Sequence, residues 1–292
     1  MTAQPTAQPN ITGHTLEVGL VATPIRHSLS PAMHTASFAE MGIDAVYLCF
    51  DVDSDHLEAA VQGMRALGFV GYNVSMPHKT VIHKYLDELT PAAELMGAVN
   101  CVDLHTGKAV GHNTDGAGFM RNLKENGIDC IGKKMTLVGA GGAGSAIFTQ
   151  AALDGVAEID VFNRKDDFFT AAEARCAKVS ERTGMKVTMH DLNDYEDLKK
   201  SVAESTVFVN ASRVGMAPDV DGCLLPEEFL RPDLCVADTV YNPLETKLIT
   251  MAREHGCTVA PGLGMMMWQA AIGEEIWFDK QMNIDYIKGL FF

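Results

Sequence analysis

Apolar residues gather along this chain in short runs that have the length and composition of buried strands, spaced by stretches suited to helices. In the first third, 16–21, 45–50 and 69–74 read as strands. A helix is expected after the loop 22–31, with Ser30 as its cap, Pro31 in its first turn, Met33, Phe38 and Met41 as apolar positions and Gly42 at its end. A second helix around 55–66 stops at Gly68. A linking helix is expected from Asp115 to about 126. Further strand candidates follow at 135–138, 158–164, 186–189, 207–210, 235–238 and 258–260, and 265–292 reads as apolar helices. Strands alternating with helices predict the α/β class. At 292 residues, two domains are expected rather than one. Residues 1–14, in which Thr2-Ala3-Gln4-Pro5 recurs as Thr6-Ala7-Gln8-Pro9, read as a disordered tail.

The run at 135–138 leads directly into Gly139-Ala140-Gly141-Gly142-Ala143-Gly144, with glycines at G-x-G-x-x-G spacing and small or apolar residues after them. Strand, glycine turn and helix in this order are the context of the dinucleotide fingerprint. The first glycine permits a tight turn, the second lets the backbone approach a pyrophosphate, and the third lets helix and strand close up. The helix N-terminus then offers N–H groups to phosphate oxygens. The strand at 158–164 closes a βαβ unit of about thirty residues.

Composition narrows the function classes. With 38 acidic against 23 basic residues the formal charge is −15, which disfavours nucleic acid and anionic membranes as partners. No apolar run approaches a membrane span, and no charged n-region with an apolar h-region opens the chain. The seven cysteines form no C-x-x-C pair, which fits free thiols and a cytoplasmic location. The ten histidines show no metal-ligand spacing, so no metal is expected.

In open α/β sheets ligands bind beyond the carboxyl ends of strands. The polar residues at such places before the fingerprint are Ser28, Ser30, Asn73, Ser75, Lys79, Asn100 and the run His112-Asn113-Thr114-Asp115. Hydroxyls and amides with one lysine and one aspartate suit a small polyhydroxylated substrate, since each substrate hydroxyl needs a partner. In a nicotinamide reaction the alcohol proton must leave as hydride moves. Lys79 could take it, with Asp115 holding lysine and hydroxyl in line. Singly, each residue has a plainer reading: Lys79 as a solvated surface lysine, Asp115 as a helix cap.

Ser28-Leu29-Ser30-Pro31-x-Met33-His34, Asn73-Val74-Ser75-Met76-Pro77-His78-Lys79, Gly97-Ala98-Val99-Asn100 and Asn113-Thr114-Asp115-Gly116 resemble the shikimate dehydrogenase family in order and spacing. So do the fingerprint, Asn163-Arg164, Asn210-Ala211-Ser212-x-x-Gly215-Met216, Tyr241-Asn242-Pro243, and Gly262-Leu263-Gly264-Met265 with Gln269. The resemblance implies two α/β domains with a cleft between them: a substrate domain over 15–115 and 263–292, and a Rossmann domain over 116–262. It implies reversible NAD(P)-dependent oxidation of shikimate to 3-dehydroshikimate, with Lys79 and Asp115 as the catalytic pair. Ser28 and Ser30 would hold the substrate carboxylate, and Asn73, Ser75, Asn100, Tyr241 and Gln269 the ring hydroxyls or carboxylate. Ser75 stands where many members have threonine. Met265, Met266 and Met267 are expected in a core or domain contact.

The run Asn163-Arg164-Lys165-Asp166-Asp167-Phe168-Phe169 departs from the Asn-Arg-Thr pattern of NADP-committed members and resembles the quinate/shikimate dehydrogenase branch. Asp166 could accept from the ribose hydroxyls and repel a 2′-phosphate. NAD is therefore expected to be preferred and NADP tolerated, and quinate is expected to be oxidised to 3-dehydroquinate as well. Alternatively, Asp166 and Asp167 face solvent and cap the next helix. Arg213, Thr239 and Gly262 match positions near the cofactor in that branch. A dehydrogenase of a related cyclic hydroxy acid such as an aminoshikimate, or a nucleotide-sensing protein without catalysis, are the rival readings. The sequence fixes no oligomeric state, a homodimer being compatible with it.

Overall fold

The run at 16–21 becomes β1 (Leu16–Ala22), whose consecutive residues are buried on opposite faces, as a central parallel strand requires. In this computed structural model residues 10–292 are described. Most of the expected tail lies outside them. Its last five residues, 10–14, are exposed, although the Thr12 N–H is bonded to Thr15 Oγ1 at 2.9 Å.

α1 (Ser30–Glu40) follows, with Pro31 in its first turn as expected, but Ser30 is not its cap. Ser30 is the first helical residue, and its N–H is received by Ser28 Oγ at 3.2 Å. The chain continues through β2 (Ala45–Asp51), α2 (Leu57–Leu67), stopped by left-handed Gly68, and β3 (Gly71–Val74). Lys79 lies in a short 3-10 turn, His78–Thr80. Four short elements that the apolar pattern did not reveal come next: β4 (Glu88–Leu89), α3 (Pro91–Met96), β5 (Cys101–Asp103) and β6 (Val110–His112).

α4 (Thr114–Glu125) leads to β7 (Lys134–Val138), α5 (Gly142–Asp154), β8 (Glu158–Asn163), α6 (Phe169–Thr183), β9 (Lys186–Asp191) and α7 (Tyr195–Glu204). β10 (Val207–Asn210), β11 (Cys235–Asp238), α8 (Lys247–Glu254) and β12 (Thr258–Ala260) complete the alternation. α9 (Gly262–Phe278) and α10 (Ile284–Phe291) close the chain.

Two compact units result. One comprises residues up to Thr114 together with Ala270–Phe292, the other Asp115–Gln269, so α9 begins in the second and ends in the first. The first unit holds a mixed sheet in the order β2-β1-β3-β5-β6-β4, in which β5 runs antiparallel to both neighbours. On one face Val21, Tyr72 and Val102 pack with Leu57, Val61 and Met64 of α2. On the other, Val18, Leu20 and Tyr47 pack with Phe38 of α1 and Trp277 of α9.

The second unit holds a six-stranded sheet in the order β12-β11-β10-β7-β8-β9, parallel throughout. From β7 outward this is the Rossmann strand order, with its switch point between β7 and β10. Met265 and Met267 are buried in α9.

Candidate active site

The glycine turn sits at that switch point. Gly139 has φ of +105°, and a side chain there would also strike Ala211, just after β10. A Cβ on Gly144 would stand 1.8 Å from the Gly139 carbonyl oxygen, so α5 touches the turn backbone directly. Gly141 is different. Its Cβ would meet nothing within 4 Å, so the space above it is open, as the approach of a pyrophosphate requires. Asn163, at the end of β8, locks the turn by accepting the Ala140 N–H on Oδ1 at 3.2 Å. Ala143 and Gly142 start α5, whose N-terminus points its first N–H groups into this space. The residues present thus fit a dinucleotide.

Two further loops at the strand ends are tied by Asp238, the last residue of β11. Its Oδ1 accepts from Asn210 Nδ2 at 3.0 Å and from the Val240 N–H at 2.9 Å, and its Oδ2 accepts from Thr246 at 2.7 Å. Burial pushes this carboxyl up to about 6, against the pull of these bonds. The loop carrying exposed Arg213 and the loop carrying Thr239 and Tyr241 are thereby fixed to one another. Gly262 closes against the latter, its Cβ position 2.3 Å from the Val240 carbonyl oxygen. Tyr241 is 48% exposed.

Past β8, Arg164, Lys165, Asp166 and Asp167 are all exposed. Asp166 Oδ1 accepts the Phe168 N–H at 3.0 Å, so part of that carboxylate serves the turn into α6. Lys165 lies 3.6 Å from Asp191. Arg164 and Asp166 are left as opposing charges beside the turn.

In the first unit the structure gathers most of the predicted polar set. The Asn73 side chain is buried at the end of β3 and donates to the Asn100 carbonyl at 3.1 Å. The Val74 N–H reaches the same carbonyl at 2.9 Å, and the Ser75 N–H bonds the Val21 carbonyl at 3.0 Å. The Val99 N–H donates to the Lys79 carbonyl at 2.8 Å, which sets the lysine's turn beside Asn100. Lys79 is half-buried rather than fully solvated. Asn100 in turn holds the entrance of α4, accepting the Thr114 N–H on Oδ1 at 2.7 Å and donating to Thr114 Oγ1 at 2.9 Å. Ser28 and Ser30 are bonded to each other before α1, both half-buried.

Asp115, in the first turn of α4, and Gln269, on α9, belong to the second unit. There α4 and α9 touch through Gly118, where a Cβ would stand 2.5 Å from the Gln269 nitrogen. Gln269 Nε2 donates to the Met266 carbonyl at 3.0 Å. Among the described residues no group of histidine, cysteine and carboxylate side chains could hold a metal, and no helix is long and apolar enough to cross a membrane.

Comparison with known proteins agrees with this frame. The profile of the shikimate dehydrogenase substrate binding domain matches residues 20–102. The chain is 56% identical over 283 residues, 97% of each chain, to a shikimate dehydrogenase (NADP(+)) of Listeria monocytogenes serotype 4b, strain F2365. It is similar to a crystal structure of shikimate 5-dehydrogenase from Listeria monocytogenes in complex with shikimate and NAD. The TM-score is 0.94 and the identity 55%, covering 98% of this chain and 99% of that one. It is also similar to quinate dehydrogenase from Corynebacterium glutamicum in complex with NAD, at 29% identity and a TM-score of 0.83, covering 95% of this chain and 98% of that one. From the fold, the glycine turn at the switch point and this full-length identity, the chain belongs to the shikimate dehydrogenase family.

Proposed function

We propose that the protein catalyses the reversible NAD(P)-linked oxidation of shikimate to 3-dehydroshikimate. The observation that carries this reading is the full-length match, at 55% identity, to a dehydrogenase crystallised with shikimate and NAD. The polar set of the first unit supports it, because a triol acid needs several hydroxyl and amide partners and loses affinity for each one left unpaired.

A bound nicotinamide supplies the hydride acceptor and donor. The chain's own residues do the rest. Lys79, in its neutral form, accepts the proton of the reacting hydroxyl, and in the reverse direction its ammonium donates it. Asp115 orients the lysine and that hydroxyl. Ser28 and Ser30 bind the carboxylate of the substrate. Asn73, Ser75, Asn100, Tyr241 and Gln269 bind its hydroxyls or carboxylate. The turn 139–144, with Asn163, Arg164, Asp166, Arg213, Thr239 and Gly262, lines the dinucleotide.

For the cofactor, the NAD preference expected from Asp166 finds no support among the relatives at 56% identity, which are named for NADP(+). The related structure at 55% identity holds NAD. Both cofactors are accepted on this reading, with Arg164 favouring the 2′-phosphate and Asp166 opposing it. Quinate is a second substrate, a reading favoured by the likeness to the quinate dehydrogenase.

The test is initial rates on shikimate and quinate, each with NAD and NADP. Turnover of shikimate with both cofactors, at kcat/KM values within roughly a hundredfold of each other, is expected. Turnover of neither substrate, with cofactor still bound, would replace this reading by a nucleotide-sensing role. Turnover confined to another cyclic hydroxy acid would replace only the substrate.

A further inference from the structure

The first unit encloses a polar chain that ends on substrate-site residues but begins with Glu274, His34 and Tyr47, to which the reaction above gives no role. It starts at Glu274 on α9, which is 0% exposed inside a core of aromatic and aliphatic side chains. Both of its carboxyl oxygens are taken: Ser37 Oγ donates to Oε2 at 2.6 Å, and His34 Nδ1 lies 2.6 Å from Oε1. A carboxylate oxygen accepts, so Nδ1 carries the hydrogen. The His34 ring stacks on Tyr47, with centroids 4.4 Å apart and planes 12° from parallel. The Tyr47 hydroxyl, also fully buried, donates to Asn73 Oδ1 at 2.7 Å. Asn73 Nδ2 donates to the Asn100 carbonyl, and Asn100 holds Thr114, the residue before Asp115.

Burying a carboxylate and an imidazole in such a core does not by itself add stability, since apolar residues of similar volume often serve as well. The chain does, however, decide one geometric question. Turned over, the Asn73 amide would set its oxygen against the Asn100 carbonyl, which only accepts, while its NH2 could still donate to the Tyr47 hydroxyl. The bond to Asn100 would be lost, so that carbonyl selects the orientation and the Tyr47 hydroxyl anchors the opposite side of the amide. With Tyr47 donating, the oxygen side faces β2 and one Nδ2 hydrogen is committed to Asn100. One lone pair and one hydrogen of the amide remain for a ligand, in a fixed arrangement. Burial, with Cys49, Cys101 and Glu274 nearby, raises the Tyr47 phenol well above its ordinary value, so the hydroxyl keeps its hydrogen.

We propose that the buried Glu274–His34–Tyr47 chain is a positioning device for the substrate site: the Tyr47 hydroxyl anchors the Asn73 amide, in the orientation the Asn100 carbonyl selects, so that it presents donor and acceptor correctly to the hydroxyls of a cyclic polyol acid. His34 and Glu274 hold the Tyr47 ring in place. This rests on the reading of Asn73 as a substrate contact. Preorganisation of this kind acts on substrate affinity and leaves the dinucleotide turn untouched.

The experiment compares Tyr47→Phe, Glu274→Gln, Asn73→Ala and the Tyr47→Phe/Asn73→Ala double variant in the full chain, by kcat and by KM for shikimate and for cofactor separately. Tyr47→Phe keeps the ring and its stack on His34. It is expected to raise the KM for shikimate roughly five- to twentyfold, with kcat changed less than about threefold and the cofactor KM unchanged. Glu274→Gln moves the same constants in the same direction by less, and keeps the proposal testable if Tyr47→Phe does not fold. The double variant is expected to match Asn73→Ala alone, because the hydroxyl acts through that amide. A Tyr47→Phe enzyme with unchanged KM for shikimate, or one whose two KM values rise together, would overturn the proposal while Asn73→Ala still raises the KM. If Asn73→Ala itself leaves that KM unchanged, the substrate role of Asn73 is what fails, and the proposal falls with it.

Discussion

Gly141→Ala separates the needs of the fold from the needs of the cofactor. Gly141 precedes α5 with φ of −71°, open to any residue, and an added Cβ meets no atom of the protein within 4 Å. In the free protein the methyl group therefore meets no resistance, and restricting the unfolded chain stabilises the fold by about 0.4–1 kcal/mol. For a unit of this size that is a rise in Tm of about 1–4 °C. Toward a dinucleotide the same methyl enters the space that the pyrophosphate needs. Overlap there costs about 1–3 kcal/mol, or roughly five- to 150-fold in affinity. Thermal unfolding without ligand gives the first quantity, and titration of intrinsic fluorescence with NADPH gives the second. The thermal shift induced by NADPH should shrink in parallel. A variant that binds NADPH within about twofold of the parent would refute the placement of the cofactor over Gly141. A lowered Tm in the free protein would refute the openness of that space.

Gly144→Ala should do the reverse, since its Cβ would stand 1.8 Å from the backbone oxygen of Gly139 and neither partner can rotate away. A loss of about 1–3 kcal/mol and a Tm lower by about 2–12 °C are expected without any ligand, and an unchanged Tm would contradict the packing. Arg164→Ala should raise the KM for NADP roughly tenfold and that for NAD less than about twofold; equal effects would show that Arg164 does not read the 2′-phosphate. His190 supplies a pH-dependent increment of stability. Its hydrogen bond to Asp160, at 3.3 Å, with Asp197 at 2.6 Å, raises its pKa despite partial burial. The increment is full below the unfolded value of about 6.5 and fades as pH rises through the raised folded value. The difference in unfolding free energy between the parent and His190→Gln should thus shrink from about pH 5.5 to pH 8; a difference that grows over that range would contradict the sign.

The nucleotide half of the fold was largely legible because its strands are parallel and its central ones are buried on both faces, which gives short, mainly apolar runs such as 135–138 and 207–209. The glycine spacing then placed the turn, and Gly139, Gly141 and Gly144 each meet a different steric demand. The hairpin of β5 and β6 was not legible. Each strand has three residues, they include Asp103 and His112, and their existence depends on pairing with β3 rather than on any local pattern. Ser30 illustrates an error of one residue: the motif marked the start of α1, but the serine is its first helical residue rather than its cap, and Ser28 two residues earlier receives its N–H. The positions of Lys79, Asn73 and Asn100 at strand ends were readable, whereas their mutual fixing through backbone carbonyls was not. His34, Tyr47 and Glu274 gave still less signal. Glu274 and Glu275 are adjacent in an apolar helix, and only packing decides that the first is fully buried. Asp238 was visible as a polar residue ending a strand, although its three hydrogen-bond partners lie at the end of β10 and in the loop after β11.

The proton transfer assigned to Lys79 is tested most directly by the rate of shikimate-dependent NADP reduction in the parent enzyme and in Lys79→Ala, with the KM for shikimate measured on both. A parent enzyme that oxidises shikimate and a variant whose kcat is roughly 10²–10⁴-fold lower, with a smaller change in KM, is the expected result. A Lys79→Ala enzyme that folds, binds shikimate and keeps a kcat near that of the parent would contradict it.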